Sequence, residues 1–435
     1  MIIHVVLEGE TIQSISNKYH IPAQRLILEN GITNPDHLVI GQAIVIVYPL
    51  ITYKVQDSES IAAIAIKNGV TVMQILRNNP YLSDREILYP GETIVISYDT
   101  DKIRTIATSG YAYPYINRDI LRKTLPFLTY LTIFNYRVTQ DGTLIDIDDR
   151  EIIDIAKSYG VAPMMLVSTL SDRGVGSTEI TNNILTKPEV QNRLINTTLN
   201  TLKEKGYYGL NIYLQYLRPE NLTLEAAFIS NFSQRLHSEG FRIIVTVTPR
   251  TNIQGTEISY ELFDYTTIAQ NVDGMLFLSY DWAYSFGPPA SATPMNIVEE
   301  VLIHTLESVP PEKIFLGFPI IGYDWQLPYI PGYSMARAVT TDIAIELASI
   351  TNSIIRYNEI SQAPYFFYFN EAQENHIVWF KDGRSIDALA GLVPKYDLQG
   401  LSIWNIMRFF AQMWFVLNTQ YDFAKVDLKK EPSEK

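Results

Sequence analysis

The chain has 435 residues, 47% of them hydrophobic, and a formal net charge of −13. Its length and apolar content suit more than one packed domain, and the absence of cysteine excludes disulfides and thiolate metal sites. The acidic balance argues against nucleic acid and against an anionic membrane, both of which are gripped by Lys and Arg.

The chain opens on "MIIHVVLEGETIQ", which enters a patterned segment without the basic region and long apolar run of a signal peptide. No apolar run reaches about 18 residues, so no membrane-spanning helix is expected, and the protein reads as made in the cytosol. The first hundred residues contain a repeat. "HVVLEGETIQSISNKYHIPAQRLILENG" aligns with "YKVQDSESIAAIAIKNGVTVMQILRNNP" at an offset of 49, pairing Val6 with Val55, Ile12 with Ile61 and Asn30 with Asn79. After one inserted residue, Gly41 pairs with Gly91. Each copy reads strand, helix, helix, strand, with apolar residues recurring at helical spacing in the middle. A period near 50 residues marks a duplicated module, expected here over 1–48 and 51–98. "SYDTDKIRT", residues 97–105, is polar enough for a linker.

From 103 to 427, strand-like and helix-like runs alternate. The strand candidates are "RTIATSGYAY", "YLTIFNYRV", "APMMLVSTL", "YGLNIYLQYL", "RIIVTVTPR", "DGMLFLSYDW", "KIFLGFPIIGYDW" and "QGLSIWNI". Eight such strands predict an α/β protein built on a (β/α)8 TIM barrel. Residues from about 330 to 385 are expected to form a small α+β insertion walling the barrel mouth, and 428–435 a polar tail. Such barrels handle ligands at the C-terminal ends of their strands. Those ends are rich in rings and hydrogen bonders: Tyr111 to Tyr115, Asn135 and Tyr136, Ser279 to Tyr284, Gly322 to Trp325, and Trp404 with Asn405. Singly each ring is core material; gathered at one end they suit a carbohydrate groove. The six histidines are scattered, with no HxxxH pair, so neither a metal nor a cofactor is expected.

The repeats resemble the LysM domain, in the opening "V-x-x-G/S-E-T/S-I", the "N-G/N-P" after the second helix and the closing "G-Q/E-x-I-x-I". The resemblance implies binding of N-acetylglucosamine-containing glycans, such as peptidoglycan or chitin, between the loop after the first strand and the loop before the last. In the first copy this maps to Gly9, Glu10, Thr11 and the stretch from Asn30 to Leu38. In the second it maps to Ser58, Glu59, Ser60 and the stretch from Asn79 to Leu88. The same residues also suit helix caps: Thr11 and Ser60 at N-termini, Asn30 at a C-terminus.

Residues 104–427 resemble glycoside hydrolase family 18, in particular its branch with LysM repeats that degrades cortex peptidoglycan during spore germination. The resemblance rests on "FNYRV", "LSYDW", "GFPIIGYDW", "HIVWFKDGRSI" and "GLSIWNI". It implies chemistry on strand four, where the family carries D-G-x-D-x-D-x-E. The Glu protonates the glycosidic oxygen, and the Asp two residues earlier orients the substrate's own N-acetyl group as nucleophile, a substrate-assisted route. This chain has "YGLNIYLQ" instead, placing Tyr208, Asn211, Tyr213 and Gln215 at those positions. A Gln amide is no general acid near neutral pH, and Tyr213 puts a large neutral ring where an anion belongs. One Glu→Gln change would suit engineering, but it does not explain Tyr213 or Tyr208, and the loss of those acids as well suits natural decay. The sugar-holding residues implied by the family remain: Tyr280 and Asp281 at the N-acetyl group and Trp404 as subsite floor, with Tyr136, Trp282, Tyr323, Asp324 and Trp325 in the same strand-end set. The expectation is therefore a catalytically inactive, glycan-binding relative in the spore envelope or cortex. The alternatives are a working hydrolase with a displaced acid, such as Asp281, and a structural coat protein whose barrel binds no sugar.

Overall fold

The computed structural model describes residues 1–83, 85, 87–170, 176–214, 222–249, 251–254, 257–260, 264–278 and 286–428, with backbone only at 222, 251–254 and 257–260. Each N-terminal module is a two-stranded antiparallel sheet with two short helices. Ile2–Val5 pairs with Ala43–Ile46 around helices Ile12–Tyr19 and Ala23–Asn30. Pro49–Lys54 pairs with Thr93–Tyr98 around Ile61–Asn68 and Val72–Asn78. Local chemistry sets the helix ends. The Thr11 and Ser60 hydroxyls accept from the amides of Ser14 (3.1 Å) and Ala63 (3.2 Å), and His20 and Gly69 close the same helices in the left-handed conformation. The cores are small: Val6, Ile15, Leu26 and Ile44 are central in the first, and Val55, Ile64, Ile75 and Ile94 in the second. Modules of this size are marginal alone, and both lean on the rest of the chain.

The barrel strands are Arg104–Ala112, Tyr130–Val138, Ala162–Ser168, Gly209–Tyr213, Arg242–Val247, Gly274–Leu278, Ile314–Pro319 and Gly400–Trp404, all parallel, with the last closing on the first. They are buried on both faces, as parallel strands covered by helices must be. The outer helices follow familiar end rules: Pro188 opens Pro188–Lys205 and Gly206 ends it with positive φ. No helix among the described residues is long and apolar enough to cross a membrane.

Strand seven is shorter than "KIFLGFPIIGYDW" suggests. It stops at Pro319, which has no amide to extend a ladder, and "GYDW" belongs to a separate strand, Gly322–Gln326. That strand joins Arg337–Val339, Asn375–Trp379, Ala363–Phe369 and Arg356–Asn358 in a five-stranded antiparallel sheet backed by helix Thr341–Ile350.

The final helix, Ala411–Gln420, carries both modules. Gln412 Nε2 donates to Ala43 O (2.7 Å) and Asn30 Oδ1 (3.1 Å). Asn418 Nδ2 donates to Asn78 Oδ1 (2.8 Å), and Phe415 meets Tyr98 edge-on at 5.4 Å. The first module also touches the insertion, where the Ile355 amide donates to Ile40 O (2.9 Å). The polar stretch 97–105 is therefore seated rather than hanging: Tyr98 is buried, and the Ile103 amide donates to Gln420 O (2.7 Å).

Candidate functional site: the barrel mouth and the module loops

Strand four separates its expected residues along the barrel. Tyr208 precedes the strand, at the end opposite the mouth; its ring lies 6.3 Å from that of Tyr130 and its hydroxyl is beside the Arg242 guanidinium. Asn211 is midway and has no exposed surface. Its Nδ2 donates to the Tyr111 hydroxyl (3.0 Å), the Thr246 hydroxyl donates to its Oδ1 (2.7 Å), and Tyr111 and Thr246 meet at 2.8 Å. Those contacts close a ring of three neutral groups in which every hydroxyl both donates and accepts. Burial pushes the Tyr111 hydroxyl well above the ordinary tyrosine range. Tyr213, 8% exposed, fills the barrel interior with Tyr111, Phe134, Leu166, Ile244 and Leu278, and its hydroxyl meets that of Thr248 at 2.9 Å. Gln215, Tyr280, Asp281 and Trp282 lie outside the described residues.

Trp404, half-buried at the end of strand eight, is ringed by aromatic edges: Phe134 at 5.2 Å, Tyr111 at 5.3 Å and Tyr113 at 6.4 Å. Tyr113 stacks on Tyr115, which is 75% exposed at the rim. The peptide bonds Phe134–Asn135 and Trp404–Asn405 are cis.

Three other strand-end residues are turned away from the mouth. Tyr136 is fully buried outside the barrel wall, where its hydroxyl and that of Tyr207 donate to Asp149, whose other oxygen takes Lys205 Nζ at 2.9 Å. Its place follows from an irregularity in the strand: Phe134 and Tyr136 would share a face in a regular strand, but a register shift between Ile133 and Tyr136 leaves Phe134 inside the barrel and turns Tyr136 out. Asp324 accepts from the Tyr368 hydroxyl (2.8 Å) and pairs with His376 (2.9 Å) inside the insertion. Trp325 has no exposed surface and donates to Gly287 O at 2.9 Å. Both serve the insertion's own packing, a consequence of "GYDW" joining that sheet. Tyr323, half-buried, packs against Trp325.

The module loops divide similarly. Gly9 and Ser58 both take positive φ (78° and 62°) at exposed turn positions, so the two copies share this loop conformation. Glu10 folds back to accept the Leu7 amide (2.9 Å) and meets His4 (2.8 Å). Glu59 accepts the Gln56 amide (2.9 Å) and the Tyr53 hydroxyl (2.7 Å). Loop amides are the largest influence holding both carboxyls below their ordinary range. Asn30 and Asn79, by contrast, are buried clamps between helix and closing strand. The side chain of Asn30 bonds Leu26 O, Val45 O and Val45 N; that of Asn79 bonds Ile75 O, Val95 O and Val95 N. Leu88 is core and Leu38 packs on core. Of the loop residues expected to meet glycan, Asn30, Asn79 and Leu88 thus present almost no surface, whereas Gly9, Thr11, Ser58 and Ser60 present theirs.

Sequence reading missed Phe134, Thr246 and Thr248 as mouth-side partners. The two-residue alternation in "VTVT" carries the signal for the threonines, since 246 and 248 share a face.

A parallel barrel with rings gathered at the carboxyl ends of its strands and an extra sheet after strand seven is the architecture of a glycosidase barrel. The family model for glycosyl hydrolases family 18 matches residues 126–408, and the LysM domain model matches 4–47 and 53–97. The chain belongs to glycoside hydrolase family 18 and carries two LysM domains. It is 31% identical over 431 residues, 98% of this chain and 99% of the relative, to a cortical fragment-lytic enzyme of Bacillus subtilis (strain 168). It is 27% identical over 98% of its length and 100% of the relative's to the putative sporulation-specific glycosylase YdhD of the same strain. Among solved structures, the spore cortex-lytic enzyme SleL of Bacillus megaterium QM B1551 superposes with a TM-score of 0.81 at 31% identity, covering 98% of this chain and 99% of that one.

Proposed function

We propose that this protein binds N-acetylglucosamine-containing glycan of the spore cortex or envelope and does not hydrolyse it. The observation that carries this reading is the neutral network on strand four. Family chemistry needs an anion at position 213 and an acid at 215 with a pKa near the working pH. Asn211 is spent in a closed hydrogen-bond ring, Tyr213 is a neutral ring in the barrel interior, and the Tyr111 hydroxyl is driven further from acid function by burial. The sugar-holding part is supported by Trp404, Tyr113 and Tyr115, which offer flat apolar faces at the strand ends, and by the exposed LysM turns. Tyr280 and Asp281 belong to the same proposal through the family pattern.

A hydrolytic reading has its own support in the end-to-end similarity to cortex-lytic enzymes, and one experiment separates the two. The full chain is incubated with cortex fragments and with chitin oligomers, and reducing ends are measured beside binding by calorimetry. The expected result is no turnover above buffer, weak oligomer binding, and a loss of about tenfold in affinity for Trp404→Ala, the effect of removing one stacked ring. Turnover by the unmodified chain, abolished by Asp281→Asn, would establish the hydrolytic reading. Absence of both turnover and binding would leave a structural coat protein.

A further inference from the structure

The five-stranded sheet of the insertion has an edge that is only partly covered. Strand Ala363–Phe369 pairs with Asn375–Trp379 on one side, but on the other Arg356–Asn358 reaches only from 363 to 365. The ladder fixes where the uncovered groups point. The Phe380 amide donates to Pro364 O (3.2 Å) and the Asn370 amide to Glu374 O (3.1 Å), so the even-numbered residues turn their polar backbone groups towards Asn375–Trp379 and its flanks. Direction alternates along an antiparallel strand. The amides and carbonyls of Phe367 and Phe369 therefore point outward, where no strand is paired among the described residues.

The gap has a cause. The chain ahead of Arg356 is held elsewhere: the Ser353 amide donates to Ala348 O at the helix end and the Ile355 amide to Ile40 O of the first module, both at 2.9 Å. A groove of about 820 Å³ remains between strand and helix end, walled by Leu347, Ile350, Ile354, Phe367 and Phe369. Its rim is apolar: Ile350 is 71% exposed and Phe369 62%, with Ile354 and Phe367 exposed beside them. An unpaired apolar edge is a template for another strand. Charges mark its two ends. Arg356 closes the covered part and Glu371 follows the far end of the strand; both are exposed, and neither has an ion-pair partner among the described residues.

We propose that this edge pairs with the same edge of a second copy of the chain, antiparallel about a two-fold axis at Tyr368, joining the two sheets into one. In that register Phe367 lies opposite Phe369 of the other copy, and each such pair exchanges both N–H···O bonds. The axis is perpendicular to the sheet, so both helices stay on one face and Ile350 and Ile354 meet their counterparts. Position 371 of one copy falls opposite 365 of the other, which brings Glu371 against Arg356 at the end of the covering strand. The charges left alone in one copy thus pair in two. An unrelated apolar strand would satisfy the backbone but not both charges, and this self-complementarity, expected of a two-fold interface, selects a second copy as the occupant.

Sedimentation equilibrium of the full chain tests this from about 1 to about 200 µM, a span that brackets micromolar association. The average mass should rise from one chain towards two. Phe369→Pro removes an amide that points out of the sheet and leaves the inner ladder intact, as edge positions allow. Its mass should stay that of one chain at every concentration, with unchanged circular dichroism. Arg356→Glu and Glu371→Arg should each raise the dissociation constant about tenfold by opposing like charges, and the double variant should return it to the wild-type value. A wild-type mass that stays at one chain throughout overturns the proposal. So does a dimer that Phe369→Pro leaves intact, or one whose two charge variants do not rescue each other.

Discussion

Asn211→Asp places a carboxyl at a position with no exposed surface. The native amide donates to Tyr111 and accepts from Thr246, the neighbouring apolar cluster includes Tyr111, Met164, Leu166, Tyr213 and Ile244, and among the described residues no cation is hydrogen-bonded to it. An ionised Asp cannot donate, so the Tyr111 hydroxyl must turn round; its bond and that of Thr246 offset part of the desolvation. A net rise of ~2 units above the unfolded value of about 3.9 corresponds to ~2.7 kcal/mol. Because the folded pKa is the raised one, the variant is destabilised little below about pH 4. The penalty then grows as pH rises towards about 6 and stays constant above. Urea unfolding of both proteins near pH 4 and near pH 7.5, followed by tryptophan fluorescence, measures it. A destabilisation equal at the two pH values, or smaller at the higher one, would refute the idea of a dry, cation-free strand-four interior. The variant should also fail to hydrolyse glycan, since 213 and 215 are unchanged.

Gly41→Ala and Gly91→Ala share a positive φ (87° and 88°) but not a neighbourhood: a Cβ at 41 would lie 1.9 Å from Ile355 O, whereas at 91 it meets only Lys54 Cε at 3.9 Å. Thermal unfolding should show about 1–2 kcal/mol lost at 91 and about 1–3 kcal/mol more at 41 from the clash with the insertion; equal losses would mean the module is not seated there. Lys381 is 2% exposed, and burial brings its amine down to about 7. Since a lowered amine pKa penalises folding as pH falls from about 10 to 7, Lys381→Met should stabilise on the order of 2 kcal/mol near pH 6.5 and less near pH 9.5; a gain independent of pH would refute this.

Much of the architecture was legible because it is written in periodicity. The offset of 49 aligns Asn30 with Asn79, and both residues do the same job, tying helix to closing strand. The barrel strands were readable as β-branched runs between helical ones. Side-chain direction at strand ends was not. Tyr136 and Trp404 look alike as strand-end rings, yet one faces the helices and the other the mouth, a one-residue difference in register. "GYDW" misled for a related reason: Gly322 lies directly against the Trp379–Phe380 backbone, and only that long-range contact reveals that the chain has left the barrel. The seating of the modules was hidden because Gln412 and Asn418 read as ordinary polar residues of a helix. Their partners are more than 300 positions away in sequence.

That seating changes what a pair of LysM modules can measure. Two binders on a loose tether accept any separation their linker can span, with an effective concentration that decays gradually with its length. Gln412 and Asn418 instead hold both modules on one helix, so the exposed turns at Gly9 and Ser58 stay at one separation and one angle. For the proposed glycan, avidity then depends on whether the polymer repeats at that separation. A stiff, ordered strand engages both turns at no search cost, whereas a fragment too short to bridge them binds as though one module were missing.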